Sequence, residues 1–346
     1  MSATMKAFYL HGARDLRPAQ VEVPELEPDQ VLVKVKACGL CGTDLHYYAH
    51  GRNGDFVPRR PFILGHEFAG EIADAGLHED ILPVGSRVAI DPSNTCRVCR
   101  YCLEGRYNLC KKTIYFGSAA TDPHIDGSFR EYIPVLAHRC HLIPAALPFR
   151  EAALLEPLSV ALHGIGQAGN IAGKRVLICG AGPIGQLLGL VARHYGAERL
   201  AVSDLRPLAL DLASALWADT TIRADRPAQV EEAWRAFDGF DAVIEASGAA
   251  TALQTAVERC RPGGVIVQVG IQEKEVDLPI NLVMQRELTI RGSFRFTHVF
   301  ARALDLVGQR KLNLQPLITG EDEFPNLSAG FEKALGPESI KTVINY

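Results

Sequence analysis

The sequence predicts an α/β protein in two parts, a mostly β domain joined to a doubly wound parallel sheet. Three observations predict it. Up to about residue 155 the chain runs in short β-type stretches broken by Gly and Pro. From Lys174 onward, apolar strands alternate with helix-length segments, the pattern of strands buried on both faces. A glycine-rich turn joins the first of those strands to its helix. The length of 346 residues, with 47% hydrophobic and 22% charged, suits about two domains.

In chain order, Val31–Ala37, Phe68–Ala73 and Arg87–Ile90 read as strands of an irregular all-β domain. Val176–Cys179, Leu200–Ser203, Ala242–Glu245 and Val265–Val269 read as parallel strands, and Gln186–Tyr195 as the helix after the first of them; after Leu288–Arg291 the regular alternation fades. The expected division is 1–155 with about 293–346 for the first domain and 156–292 for the second. An active site is expected in a cleft between them. No internal repeat or low-complexity stretch interrupts this order.

Lys and Arg total 36 against 40 Asp and Glu, a formal charge of -4, and no block of like charges stands out. This argues against nucleic acid or a membrane surface as partner. No segment reads as a signal peptide or approaches the ~20 apolar residues of a membrane span, so a cytoplasmic protein is expected.

Strand Val176–Cys179 runs into Gly180-Ala181-Gly182-Pro183-Ile184-Gly185 and then a helix, the strand-turn-helix setting of a Rossmann fingerprint. Gly180 allows the tight turn, Gly182 lets backbone approach a pyrophosphate, and Gly185 lets helix pack on strand. The helix N-terminus adds unpaired N–H donors and a positive dipole. Asp204 ends the next strand, where a carboxylate accepts hydrogen bonds from the adenosine ribose; its other reading is a helix cap ahead of Pro207. A carboxylate there repels a 2′-phosphate and favours NAD, while Arg206 leaves room for NADP.

Nine cysteines are present, and four crowd into Cys96-x2-Cys99-x2-Cys102-x7-Cys110. One compact loop of that spacing closes four thiolates around a tetrahedral zinc and leaves no open position, which is a structural site. Cys41 in Cys38-Gly39-Leu40-Cys41-Gly42-Thr43-Asp44-Leu45-His46, with His66 and Glu67 in Leu64-Gly65-His66-Glu67, are candidates for a second, catalytic zinc. Taken alone these are weaker signals: Cys38 with Cys41 also reads as a redox pair, and a lone His is often a core or surface residue.

Cys41-Gly-Thr-Asp, Gly65-His-Glu, the four-cysteine loop, Glu156-Pro-Leu-Ser and Gly180-Ala-Gly-Pro-Ile-Gly stand in the order seen in zinc-containing medium-chain dehydrogenases. The resemblance covers essentially the whole chain. His46-Tyr-Tyr, Arg59-Arg-Pro and Glu156-Pro-Leu-Ser-Val-Ala-Leu-His163 resemble the polyol branch, which includes sorbitol and xylitol dehydrogenases. Phe116-Gly-Ser-Ala119, Pro123-His-Ile-Asp-Gly127 and Arg291-Gly-Ser-Phe-Arg-Phe296 resemble its L-idonate 5-dehydrogenases. Sorbitol dehydrogenases carry Tyr where this chain has Phe296.

The resemblance implies a GroES-like catalytic domain beside a Rossmann domain, two zinc ions per chain, and a homodimer or homotetramer. It implies hydride transfer from an alcohol carbon of a polyol or sugar acid to NAD(P), with zinc as Lewis acid. Cys41, His66 and Glu67 would be catalytic-zinc ligands, with Glu156 at or near the fourth position, directly or through water; Glu156 also reads as a charge at a helix start before Pro157. Thr43 would relay a proton toward His46, which reads equally as a surface residue. Val269, Gly270 and Ile271 would contact the nicotinamide side, and Phe294, Arg295 and Phe296 would close the site, though both segments also read as plain strand-end loops. Tyr47 would meet substrate hydroxyls, and Arg295 the carboxylate of a sugar acid.

Neutral-polyol dehydrogenases share all of this chemistry, and threonine dehydrogenase is a further relative. A zinc-free quinone reductase would need neither Cys41, His66 nor the cysteine loop. A reading of a different class, a zinc-ribbon binding module with a dinucleotide-sensing domain, is opposed by the absence of a basic patch.

Overall fold

The computed structural model describes residues 3–272 and 275–346. The chain forms two compact units, Met1–Glu156 with Phe300–Tyr346, and Pro157–Val299. The return to the first unit thus falls at Phe300, beyond the expected 293. Ser293 N–H donates to the Gln268 carbonyl at 2.8 Å, which extends the last parallel pairing by one residue.

In the first unit a seven-stranded sheet runs in the order Ile318–Glu323, Lys341–Asn345, Gln30–Gly39, Glu67–Asp74, Arg87–Ile90, Cys140–Leu142, with Tyr132–Leu136 also paired to Gln30–Gly39. The expected strands at 31–37, 68–73 and 87–90 lie within it. Val31, Val33, Val35, Ile72, Val88 and Ile90 enter one core with Phe62, Phe68, Phe129 and Phe331. A hairpin, Thr4–Gly12 against Asp15–Glu22, and a ribbon, Ser93–Asn94 against Ile114–Tyr115, complete the β structure.

The all-β reading of this unit needs correction: it also holds the helices Gly42–His50, Phe300–Gly308 and Leu327–Ala334, with single helical turns at Arg100–Leu103 and Phe149–Ala152, and the first of these follows directly on Cys41. Asp44 explains it, because its carboxylate turns back to accept the Cys41 N–H at 3.1 Å and ties off a donor that the first turn leaves unpaired.

In the second unit six parallel strands stand in the order Thr220–Arg223, Arg199–Asp204, Arg175–Cys179, Phe240–Glu245, Cys260–Gln268, Thr289–Gly292. Numbered along the unit this is 3-2-1-4-5-6, the doubly wound order, and the reversal lies between Arg175–Cys179 and Phe240–Glu245. Central strands are buried on both faces; all six residues of Phe240–Glu245 are buried. Among the described residues, no helix is long and apolar enough to cross a membrane.

Candidate metal centres and dinucleotide site

Cys96, Cys99, Cys102 and Cys110 come together with every sulfur within 4.8 Å of the others. The separations are 3.5 Å for Cys110–Cys96, 3.6 Å for Cys99–Cys102 and 4.0 Å for Cys96–Cys102. These are far beyond a disulfide bond of about 2.05 Å. Zinc with four bonds of about 2.3 Å in tetrahedral array sets its sulfurs about 3.8 Å apart, so the thiol set fits that ion. Burial opposes a Cys110 thiolate, but backbone N–H groups of Cys96 and Lys112 aimed at its sulfur outweigh this and bring its pKa down to about 6.

The second donor set is built differently. Cys41 lies at the start of its helix, while His66 and Glu67 come from the turn and first residue of the strand Glu67–Asp74. The donor atoms of Cys41, His66 and Glu67 all lie within 4.8 Å of one another. Fully buried Asp44 braces them: besides Cys41 it accepts the Gly65 N–H at 3.2 Å, and it faces His66 Nδ1 at 3.7 Å. Burial disfavours a charged His66, but Asp44 and Cys41 outweigh it and raise its pKa well above the usual histidine value. One thiol, one imidazole and one carboxylate make a donor set that suits zinc and leaves a coordination position for a further ligand.

Glu67 is 2% exposed in its side chain and ion-paired to Lys341, itself 3% exposed, whose ammonium also donates to the Leu40 carbonyl at 2.9 Å. A Cβ on Gly39 would run into this pair. Glu156 is buried close by and is not one of the three grouped donors; the Tyr115 hydroxyl donates to its Oε1. Burial chiefly, relieved by His66, pushes its pKa up to about 7. Sequence reading missed Asp44, Tyr115 and Lys341. Asp44 sits inside the Cys41 motif, where a buried acid could have been suspected; the other two carry no local signal.

Thr43 and His46, three residues apart on Gly42–His50, lie on one side of the helix, the first half-buried and the second exposed. Tyr47 is 2% exposed; its hydroxyl accepts the Ala119 N–H at 3.2 Å, and its ring meets Phe62 edge-on.

In the second unit Gly180 takes φ +96, where a side chain would press on the Ser247 backbone, and Gly185 packs against the Gly180 carbonyl. Gly182 precedes the helix Pro183–His194, which starts three residues before the expected Gln186 because Pro183 suits the first helical position. A Cβ on Gly182 would meet only the Arg206 guanidinium, at 3.8 Å, so the backbone there is open to a ligand. Gly182, Pro183 and Ile184 stay half-buried while Gly185 is buried. Asp204 accepts the Ala181 N–H at 2.7 Å and the Arg206 N–H at 2.8 Å, so it braces the glycine turn. Val269 and Gly270 donate to the Glu245 carbonyl, leaving Ile271 66% exposed. Arg295 takes φ +52 with its guanidinium 4.9 Å from the Phe294 ring; Phe294 is exposed and Phe296 buried.

A doubly wound sheet with this turn and two metal-capable donor sets define a zinc-binding dehydrogenase. Comparison with known proteins agrees. The family described as alcohol dehydrogenase GroES-like domain matches residues 27–145, and that described as zinc-binding dehydrogenase matches 183–309. A probable D-xylulose reductase A of Aspergillus clavatus is 39% identical, over 98% of this chain and 96% of its own length. Sorbitol dehydrogenase of Bacillus subtilis is 36% identical, over 96% and 94%. The crystal structure of L-idonate 5-dehydrogenase from Escherichia coli superposes with a TM-score of 0.94 at 33% identity, over 100% of this chain and 99% of that one. The chain belongs to the zinc-containing medium-chain dehydrogenases, in their polyol branch, and is an NAD(P)-dependent alcohol dehydrogenase.

Proposed function

We propose that the protein oxidises a secondary alcohol of a sugar acid or polyol with NAD(P), and that its substrate is L-idonate, giving 5-keto-D-gluconate. The observation that carries the reaction is the grouping of Cys41, His66 and Glu67, a three-donor set unlike the closed four-thiol set of Cys96, Cys99, Cys102 and Cys110. These residues would hold zinc, which would supply Lewis-acid polarisation of the alcohol oxygen. Glu156 would stand at or near the fourth zinc position, directly or through water, and Tyr115 fixes its carboxyl. Thr43 and His46 pass the alcohol proton outward, consistent with His46 lying at the surface.

Gly180, Gly182, Pro183, Ile184 and Gly185 seat the pyrophosphate, Asp204 receives the adenosine ribose, and Arg206 sits beside it. A carboxylate there supports NAD over NADP. Val269, Gly270 and Ile271 border the nicotinamide, with Phe294 and Arg295 on its other side. Tyr47, Glu156, Arg295 and Phe296 contact substrate, and Arg295 takes the carboxylate.

A neutral-polyol dehydrogenase acting on xylitol or sorbitol fits the same geometry, and the relatives named for D-xylulose and sorbitol favour it. Turnover of L-idonate, xylitol, sorbitol and L-threonine with NAD and with NADP decides. Idonate as the best substrate, with Arg295→Ala lowering its kcat/KM far more than that of xylitol, supports the sugar-acid reading. An equal loss on both defeats it.

The same reading includes a cytoplasmic location, where thiols stay reduced for metal binding, and a homodimer or homotetramer. The end strand Thr289–Gly292 is exposed at all four residues, Ile290 among them, and Ile280, Met284 and Phe294 are exposed near it in the chain. A second copy pairing along that edge would cover them. Light scattering on the purified chain checks this, with a monomer as the contrary result.

A further inference from the structure

Glu245 is a fully buried carboxylate at the C-terminal end of the strand Phe240–Glu245, in register with Cys179 across the point where the strand order reverses. Among the described residues no ion pair reaches it. A charge so placed needs several hydrogen bonds to persist. Glu245 Oε1 accepts the Ser247 N–H at 2.7 Å, the Ser247 hydroxyl at 2.5 Å and the Gly248 N–H at 3.0 Å. Oε2 accepts the Gln268 amide at 2.6 Å, and that amide also donates to the Gly270 carbonyl at 2.7 Å.

One side chain therefore ties together two loops, 246–248 and 269–271. They press on each other closely enough that a Cβ on Gly270 would strike Gly248 and Glu245, and a Cβ on Gly248 would meet the Ile271 carbonyl. The first loop also abuts the glycine turn: Ala246 N–H donates to the Cys179 carbonyl at 2.8 Å, and the Ser247 backbone occupies the space beside Gly180. In a doubly wound sheet the ligand crevice opens at this end of these two strands.

Resting on the dinucleotide reading above, we propose that Glu245 is a positioning residue for the nicotinamide half of the cofactor. It locks the two loops that present Ile271, while the adenosine half depends on Asp204 and the Gly180–Gly185 turn. The carboxylate is required because every group facing it is a donor. An amide in its place would turn its own N–H group toward one of them.

The test compares NADH with ADP-ribose, which lacks only the nicotinamide portion, on wild type, Glu245→Gln and Ser247→Ala. Both Kd values are measured by calorimetry, alongside a thermal melt. Glu245→Gln should weaken NADH about tenfold, the scale of one lost hydrogen bond to a charged group, and leave ADP-ribose within about twofold. Ser247→Ala, at an exposed residue, should shift NADH in the same sense by about threefold and keeps the test open if Glu245→Gln does not fold. Parallel weakening of both ligands, or an unchanged NADH Kd, overturns the assignment. Wild type that binds neither NADH and ADP-ribose nor their 2′-phosphorylated forms overturns the dinucleotide reading itself.

Discussion

Replacing Lys341 with Met keeps the volume and removes the cation that faces Glu67. In the metal-free protein this leaves a carboxylate with 2% side-chain exposure without its counter-charge, together with a Leu40 carbonyl that has lost its donor. Breaking a buried pair by removing one partner costs about 3–5 kcal/mol, a large share of the ~5–15 kcal/mol that holds a domain folded. With zinc bound, the carboxylate regains a cation and only the Leu40 hydrogen bond is missing, about 1 kcal/mol. The difference, at least about 2 kcal/mol, must reappear as tighter zinc binding by the variant, roughly 30-fold, because the two states form one thermodynamic cycle. Urea melts with chelator and with saturating zinc give the first pair of numbers, and competition against a chromophoric chelator gives the affinity. Equal destabilisation in both melts, or weaker zinc binding, would refute the argument that ammonium and metal share the Glu67 carboxylate.

Cys99→Ala should lose one zinc and melt earlier, whereas Cys41→Ala should lose the other zinc and turnover with the melting point nearly kept; metal analysis beside a thermal melt separates them, and equal unfolding in both would sink the division into structural and catalytic sites. Gly185→Ala places a Cβ against the Gly180 carbonyl and must push the helix Pro183–His194 off its strand, so NADH binding should weaken at least tenfold with about 1–3 kcal/mol lost in stability; unchanged binding by fluorescence titration would contradict the close packing. Burial chiefly, with Arg97 and Arg139, lowers the His138 pKa from 6.5 to about 4. A depressed folded value means the unfolded chain binds more protons in between, so this stability is complete above pH 6.5 and is lost as pH falls toward 4. His138 is an exposed residue, so the screened effect should stay below about 1 kcal/mol, and His138→Gln should flatten the urea midpoint between pH 7 and pH 4.5 by that amount.

The parallel sheet was legible because its central strands carry unbroken apolar stretches, Val176–Cys179 and Ala242–Ile244, set between helix-length segments. Strands with at most one buried residue were not. Thr220–Arg223 buries only Ile222, and Ile318–Glu323 spells Ile-Thr-Gly-Glu-Asp-Glu, a polar edge that resembles a loop. The hairpin near the N-terminus hides for another reason. Its turn uses Arg14 at φ +55 where an Asn or Gly would have signalled it, and the guanidinium pairs with Glu332, far along the chain.

The four-thiol site was legible because Cys96 to Cys110 are near neighbours in sequence, whereas Cys41 stands well before His66-Glu67 and joined them only through the family resemblance. Their surroundings obey a different rule. A carboxylate as buried as Glu67 needs either a cation or a full set of hydrogen-bond donors, as at Glu245, and that need does not single out Lys341 among 36 Lys and Arg residues. Lys341 wins because the strand Lys341–Asn345 pairs antiparallel with Gln30–Gly39, setting Val343 opposite Gly39 and bringing the ammonium to Leu40 across 301 residues of sequence. Tyr115 reaches Glu156 across 41 residues through the ribbon Ser93–Asn94 and Ile114–Tyr115. Ligand identity is thus a local property at the four-thiol loop, whereas the charge and proton affinity around Glu67 and Glu156 are set by strand register, and only the folded sheet supplies that.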